Sequence, residues 1–222
     1  TMPSLIYIAD PMCSWCYGFG PELTALLEGL PGMRLDIVVG GLRAHNTKVM
    51  DAELKSTLLG HWKKVQEKTG LPFSPAGLAR DNFIYDTEPA CRAVVAARML
   101  APQAELLVFH AIQRAFYERG EDVTQGRVLA SVAAAALTEA GFPTDADSFF
   151  ATWESDATVV ATREDFRQTQ HWGISGFPTL VLEREGKLEL VAAGYVPMPT
   201  LVELLQALVD RDAREPVDGP TA

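Results

Sequence analysis

Near its start the chain contains the run SLIYIADPMCSWC, residues 4–16, in which a Cys-x-x-Cys pair closely follows an apolar segment. Residues 4–9 form a β-branched and aromatic run that ends at Asp10-Pro11, which is typical of a short buried strand. Residues 13–30 have helical character and stop at Pro31-Gly32. The sequence therefore predicts a cysteine pair at the start of a helix that follows a strand.

Disulfide exchange requires one thiolate that attacks and a second thiol close enough to resolve the mixed disulfide. Cys13, at the predicted helix start, lies beside unpaired backbone N–H groups and the positive end of the helix dipole, which stabilise a thiolate. Cys16 follows one turn later on the same face of the helix. We therefore predict that Cys13 is the nucleophile and Cys16 the resolving thiol.

Two other uses of a Cys-x-x-Cys pair are less well supported. A zinc site needs a second pair of ligands, but Cys91 is solitary and the four histidines show no paired ligand spacing, so we expect no metal. A structural disulfide is disfavoured because cysteines on adjacent turns close a very small loop with little entropic benefit.

The chain as a whole predicts a strand–helix–strand unit, a block of helices and then a strand–strand–helix unit. Residues 34–39 form a second strand, so the first helix connects a parallel pair with a right-handed crossover. From residue 51 to residue 172 the signals are almost all helical, apart from a long loop at 71–86. Helices are expected at 51–69, at 88–100 after a Thr87 cap, at 102–118, from a Thr124 cap to 140, after Thr144 and at 155–172.

Strand character returns near the carboxyl end. Residues 179–183 and 187–192 predict a hairpin, and 199–209 an amphipathic helix. The fold class expected is α/β, a thioredoxin-like fold with a large all-helical insertion. The thioredoxin-like domain comprises 1–48 and 173–212, the inserted helical domain comprises 49–172, and 213–222 form a disordered tail.

A second motif, WGISGFPTL at residues 172–180, places a proline immediately before a strand. Pro178, preceded by glycines, is a candidate for a cis peptide bond. Base rates alone favour a trans proline that starts an edge strand. The Cys-x-x-Cys pair that follows the first strand shifts the balance towards the cis form.

Together the two motifs resemble the thioredoxin superfamily, and the helical insertion narrows the resemblance to its DsbA-like family. The run DPMCSWCYGF, residues 10–19, is most similar to the non-secreted, FrnE-like branch. The resemblance implies that the loop of Phe177 and Pro178 lies against the cysteine pair and binds substrate as an added strand. Phe177 is bulkier than the residue often found before this proline, which leaves substrate preference open.

Several further residues have two interpretations each. Ser14 and Trp15 are expected to bind substrate and tune the redox pair, although Trp15 and Tyr17 could equally pack over the disulfide. Cys91, on an apolar helix face, is expected to be a buried, inert thiol. Asp10 either forms the turn at the strand end or influences the cysteine pair. Arg43 is expected to be a solvated loop residue, with binding of a glutathione carboxylate as the alternative.

The function expected is that of an enzyme, a thiol-disulfide oxidoreductase or isomerase acting on protein or small-molecule disulfides. It needs no bound cofactor, and glutathione or a thioredoxin system would be its electron partner. The main alternative, on the same architecture, is a glutathione-dependent kappa-type transferase or a 2-hydroxychromene-2-carboxylate isomerase-like enzyme. Such enzymes typically carry serine at the position of Cys13. A third possibility is a chaperone-like or scaffold module with an incidental Cys-x-x-Cys pair.

Composition narrows the partners and the compartment. The 222 residues carry a formal net charge of −10, which argues against nucleic acid or an anionic membrane as the partner. Three cysteines are too few for a secreted disulfide scaffold. The first residues lack the charged and apolar regions of a signal peptide. We therefore expect a cytoplasmic protein.

Overall fold

The computed structural model describes the backbone of residues 2–214 and the side chains of residues 2–211. Four strands and eight α-helices make up the described part. In chain order they are β1 (Ser4–Ala9), α1 (Ser14–Glu28), β2 (Arg34–Val39), α2 (Ala52–Thr69), α3 (Glu88–Leu100), α4 (Glu105–Tyr117), α5 (Gly126–Glu139), α6 (Ala146–Glu154), α7 (Asp156–His171), β3 (Thr179–Arg184), β4 (Lys187–Ala193) and α8 (Met198–Arg214).

The four strands form one mixed sheet in the order β2-β1-β3-β4. β1 is parallel to β2, whereas β3 is antiparallel to both β1 and β4. All six residues of β1 are buried, which is why this central strand is apolar and aromatic from Leu5 to Ala9, and its polar first residue, Ser4, bonds to Glu183. The predicted strand–helix–strand and strand–strand–helix units therefore share one sheet, and the carboxyl end of β1 leads directly to the cysteine pair.

Most predicted boundaries agree with the structure, but neither threonine that was predicted to cap a helix makes a capping hydrogen bond. Thr87 occupies the N-cap position of α3 but makes no capping hydrogen bond, because its hydroxyl accepts the Arg43 N–H instead. α5 begins at Gly126, after Gln125, because the Thr124 hydroxyl bonds to Asp122 at 2.6 Å within the preceding turn. Both hydroxyl groups were predicted to cap a helix. Instead, the Thr87 hydroxyl bonds to the loop after β2, and the Thr124 hydroxyl bonds to the turn before α5.

Helical ends and the long loop differ in smaller ways. α1 continues through Pro21 and ends at Glu28, two residues before the predicted end. The segment expected at 102–118 is a 3₁₀ turn at Pro102–Ala104 followed by α4. The long loop contains a further 3₁₀ turn at Pro75–Leu78. Both 3₁₀ turns begin at a proline, which is tolerated there because the first N–H groups of a helix have no helical partner, whereas α1 ends before the C-cap residue Gly29.

A half-buried ion pair fixes the helices of the insertion to the sheet. Arg98 of α3 bonds Asp165 of α7 through both terminal nitrogens at 3.0 Å and also donates to the Ile37 carbonyl of β2 at 2.9 Å. Asp165 in turn accepts the N–H of Val39, the last residue of β2, at 3.1 Å. The loop that follows β2 is thus held in place by α3 and α7.

The carboxyl-terminal predictions can be followed only in part. α8 extends to Arg214, beyond the predicted end at 209. Residues 215–222 of the predicted disordered tail lie outside the described residues. The division into a thioredoxin-like and a helical domain remains a prediction. Among the described residues, no helix combines the length and apolar character needed to cross a bilayer.

Candidate active site

Cys13 lies at the junction of β1 and α1, where it occupies the N-cap position of the helix. Its backbone is extended, with φ −90° and ψ 123°, and its side chain makes no capping hydrogen bond. The Cys13 N–H donates to the Asp10 carbonyl at 3.0 Å, and the Cys13 carbonyl accepts the Tyr17 N–H at 3.0 Å. The turn thus fixes the backbone of Cys13 while its sulfur stays available for chemistry.

Cys16 lies one turn further along α1 and is fully buried. Both cysteines are free thiols in this structure. Burial raises the pKa of the Cys16 thiol well above its usual value, and a hydrogen bond and charge interaction with Cys13 raise it further. Cys13 retains 8% of its accessible surface. The two thiols are therefore unequal, since only Cys13 can be reached by a substrate.

The loop before β3 meets Cys13 through its backbone. The peptide bond between Phe177 and Pro178 is cis. The Cys13 thiol donates to the Phe177 carbonyl, with 3.7 Å between sulfur and oxygen. Within the described residues, no hydrogen bond is made by the Phe177 N–H. The motif at 172–180 and the Cys-x-x-Cys pair, far apart in the sequence, are therefore in contact.

The bulky side chain of Phe177 fits because Gly40 has none. The Phe177 ring covers Gly40 so closely that a Cβ atom on Gly40 would lie 2.2 Å from the ring. Phe177 also packs against the buried cluster formed by Ile6, Ile8 and Val181 on the sheet. Phe177 thus anchors its loop to the sheet and leaves its backbone facing Cys13.

Two tyrosines that the sequence did not single out hold the residue before Cys13. The hydroxyl groups of Tyr85 and Tyr117 both donate to the Met12 carbonyl, the latter at 2.6 Å. Tyr85 comes from the long loop and Tyr117 from the end of α4, and both are buried. No local sequence signal could identify them, because each is more than seventy residues from Met12.

Asp10 is a buried carboxylate below the cysteine pair. It accepts the N–H of Met12 at 2.8 Å and the N–H of Leu42 at 2.7 Å, and the Cys91 thiol lies 3.4 Å from its Oδ2. Burial raises the pKa of Asp10, and the charge of Asp10 helps to raise the pKa of Cys16. Both interpretations of Asp10, turn residue and influence on the cysteine pair, thus agree with its contacts. Cys91 is fully buried, as predicted.

A cleft of about 450 Å³ opens beside Cys13, and we call it the Cys13 cleft. It is lined by residues 12–15, 42–43 and 175–177, by Tyr85, and by Thr57, Leu58, His61 and Trp62 of α2. Ser14 and Trp15 lie in its wall, as expected for substrate-binding residues. Arg43, expected to be solvated, is half-buried in this wall, and His61 is a cleft residue that the sequence did not indicate. Tyr17 instead stacks on Tyr117, away from the cleft.

No group of three or more potential metal-ligating side chains occurs among the described residues. The site chemistry that the structure presents is that of two unequal thiols, an exposed backbone edge at Phe177 and a mixed polar and apolar cleft.

Comparisons with known proteins agree with this arrangement. The sequence pattern of the DSBA-like thioredoxin domain matches residues 5–206. A candidate protein disulfide isomerase from Nitrosomonas europaea shares 36% identity, with 95% of this chain and 99% of that chain covered and a TM-score of 0.85. A comparison with curated protein sequences gave no significant match.

Two further structures are similar over nearly the whole chain. The cytosolic disulfide reductase DsbM from Pseudomonas aeruginosa shares 27% identity over 93% of this chain and 98% of that chain, with a TM-score of 0.73, and its structure has also been determined with GSH. A 2-hydroxychromene-2-carboxylate isomerase, at 14% identity over 94% of this chain and 97% of that chain and with a TM-score of 0.63, shares the fold. The predicted fold class, thioredoxin-like with a helical insertion, is confirmed.

Proposed function

We propose that this chain, which belongs to the DSBA-like thioredoxin domain family, is a thiol-disulfide oxidoreductase that uses Cys13 and Cys16. The observation that carries the proposal is the inequality of the two thiols. Cys13 occupies the N-cap position of α1 and lines the cleft, whereas Cys16 is fully buried one turn below it. Attack by one thiol followed by resolution by the other requires this inequality, because the substrate disulfide has to meet the attacking sulfur first.

The reaction proceeds in two balanced steps. The Cys13 thiolate attacks one sulfur of a substrate disulfide, which forms a mixed disulfide and expels the other sulfur as a thiolate. Cys16 then loses its proton and attacks the Cys13 sulfur, which forms the Cys13–Cys16 disulfide and releases the second substrate thiolate. The substrate gains two electrons and the enzyme loses two. The expelled thiolate can accept the proton of Cys16, since burial favours the protonated Cys16 until that moment.

Extended polypeptides are one substrate class that the site can bind. The Phe177 N–H has no partner among the described residues, and the Phe177 carbonyl faces Cys13. An extended substrate can add to this edge through main-chain hydrogen bonds, with little demand on its sequence. Phe177 and Pro178 would then hold a protein disulfide over Cys13, and Ser14 and Trp15 would contact its side chains.

We propose that the protein acts as a disulfide reductase or isomerase in the cytoplasm, with glutathione or a thioredoxin system as the source of electrons. A reducing compartment keeps the cysteine pair as thiols, which favours reduction of substrates over their oxidation. The similarity to a cytosolic disulfide reductase, whose structure with GSH is known, supports this direction. The similarity of residues 10–19 to FrnE-like proteins supports the same non-secreted branch.

The rival, a glutathione transferase or chromene-carboxylate isomerase, would not need Cys16. We therefore expect a single reaction to separate the two functions. When pre-reduced protein is mixed with excess glutathione disulfide and no other thiol, the native chain should end as the Cys13–Cys16 disulfide. Cys16→Ala should instead stop at glutathione attached to Cys13, because no resolving thiol remains. Mass spectrometry after acid quenching distinguishes the two products.

Cys91→Ala is the matched control, since it removes a buried cysteine that takes no part in the proposed reaction. It should give the same product as the native chain. The proposal would be wrong if Cys16→Ala conjugated glutathione to an electrophile, or isomerised a 2-hydroxychromene-2-carboxylate, as fast as the native chain while neither protein reacted with disulfides.

A further inference from the structure

We propose that the Cys13 cleft selects small disulfides and thiols that carry carboxylate groups, and that Arg43 and His61 provide this selectivity. The inference rests on the proposed function, because the same cleft leads to the attacking sulfur. It adds the substrate class that the cleft recognises.

The cleft differs in charge from the rest of the molecule. The chain has 29 acidic residues against 19 lysines and arginines. Among the described residues, those that line the cleft nevertheless include no aspartate or glutamate, whereas they include Arg43 and His61. An anion that approaches an otherwise acidic protein is thus favoured at the place where the nucleophile lies, because like charge repels it elsewhere.

Arg43 is held in position by its backbone. The N–H of Leu42 donates to the buried Asp10 carboxylate at 2.7 Å, and the N–H of Arg43 donates to the Thr87 hydroxyl at 3.1 Å. The Arg43 guanidinium lies 5.7 Å from the centre of the Tyr85 ring. Because two adjacent amides anchor the backbone and the guanidinium lies over the Tyr85 ring, the segment that carries Arg43 is already ordered before a ligand binds.

Within the described part of the chain, no acidic side chain offsets the charge of Arg43. Among the side chains of residues 2–211, no carboxylate forms a salt bridge with Arg43, whereas Arg34, Arg92, Arg98 and others are paired. A planar guanidinium can bind a carboxylate through two parallel hydrogen bonds. Arg43 therefore has the free donors that a carboxylate ligand requires.

α2 contributes the second polar group and much of the apolar wall. Thr57, Leu58, His61 and Trp62 follow the i, i+1, i+4, i+5 pattern of one helix face, and all four line the cleft. The Thr57 hydroxyl is used within the helix, where it donates to the Glu53 carbonyl. His61 is exposed and is thus the polar group of this wall that a ligand can meet.

The arrangement fits a small molecule with sulfur at one end and a carboxylate at the other. The disulfide would meet Cys13, the carboxylate would meet Arg43 and His61, and the connecting methylene groups would lie on Leu42 and Leu58. Attack by the Cys13 thiolate expels one carboxylate-bearing thiolate, and attack by Cys16 releases the second, so each disulfide yields two thiols. Glutathione disulfide belongs to this chemical class.

Three disulfides of similar size and different charge test the inference: dithiodipropionate, a dianion; bis(2-hydroxyethyl) disulfide, which is neutral; and cystamine, a dication. Each is mixed with pre-reduced protein, and the rate of Cys13–Cys16 disulfide formation is divided by the rate of the same disulfide with free dithiothreitol. We expect the native chain to favour the dianion over the neutral disulfide about tenfold. Added salt should reduce this preference.

Substitutions identify the groups responsible. Arg43→Met keeps much of the apolar stem and should lower the ratio of the dianion rate to the neutral-disulfide rate from about ten to about one. Arg43→Lys should restore part of the preference, and His61→Gln should reduce it. Arg34→Met is the matched control, because it removes an exposed arginine at the opposite end of β2 and changes the net charge equally. It should leave all three rates as they are.

The possible failures are distinguishable. If the native chain shows equal normalised rates with the three disulfides and Arg43→Met changes none of them, the inferred selectivity is wrong and the oxidoreductase function stands. If pre-reduced protein reacts with no disulfide at all, the proposed function itself is wrong. Circular dichroism and urea unfolding, compared with those of Arg34→Met, show whether Arg43→Met is folded.

Discussion

Replacing Cys13 with serine is expected to lower the reduction of insulin disulfides by dithiothreitol to the uncatalysed rate, a loss of at least about a thousandfold. The other two thiols cannot take over. Cys16 and Cys91 are both fully buried, and burial raises the pKa of each well above the usual value for a cysteine. A serine hydroxyl at position 13 does not ionise near neutral pH, so no accessible nucleophile would remain.

Cys91→Ala is the control for this experiment. It also removes one of the three thiols, but its residue lies against Asp10 in the interior and away from the cleft. We expect its activity to stay within about threefold of the native value, with lower stability because a buried side chain and its contact are lost. Full activity of Cys13→Ser, or complete inactivity of Cys91→Ala in a folded protein, would contradict the assignment of Cys13.

A second large effect on activity is expected at Gly40, a residue that is assigned no contact with substrate. In Gly40→Ala the new methyl group would lie 2.2 Å from the Phe177 ring, so the ring must move. The Phe177 carbonyl, which accepts from Cys13, would move with it. We expect activity to fall between about tenfold and a hundredfold. Overpacking should also lower the free energy of unfolding by about 1–3 kcal/mol.

A double substitution separates this explanation from general damage. Phe177→Ala removes the ring, so Gly40→Ala should cost little more stability in that background, and the two effects should not add. Gly60→Ala is the matched control, because a Cβ at this α2 position meets no atom within 4 Å. The measurements are urea unfolding and insulin reduction. Additive losses in the double variant would contradict the proposed contact between Gly40 and Phe177.

The fold and the cysteine pair could be predicted because their signals are local. β1 is apolar from Leu5 onwards since it is buried on both faces, and Asp10-Pro11 marks its end. The spacing of Cys13 and Cys16 places them one helical turn apart wherever the helix begins. The thioredoxin-like order follows from these elements, since strand–helix–strand units have one handedness.

The surroundings of the pair could not be predicted because they depend on distant segments. Tyr85 and Tyr117 converge on the Met12 carbonyl from a loop and a helix end, and neither tyrosine lies in a motif. Arg43 was expected to be solvated because it follows two glycines in a loop. Its half-buried position results from the backbone bonds to Asp10 and Thr87, which only the folded chain brings together.

The same limit applies to Phe177. The sequence showed a large residue before Pro178 and left its consequence for substrate binding open. The structure explains its size, because the ring fills the space above Gly40 and packs on the sheet. A glycine at the end of one strand and an aromatic residue before another are compatible only as a pair, and a single sequence does not reveal such pairing.

The assignment of Cys13 and Cys16 as a redox pair is tested by equilibration in glutathione redox buffers, followed by alkylation and peptide mapping. Cys13 and Cys16 should change together between two free thiols and one shared disulfide, with a single midpoint that fits a two-electron couple. Cys91 should be found as a thiol at every potential, and it should react only after unfolding. This assignment would be wrong if Cys13 and Cys16 were never joined to each other, or if the disulfide that formed included Cys91.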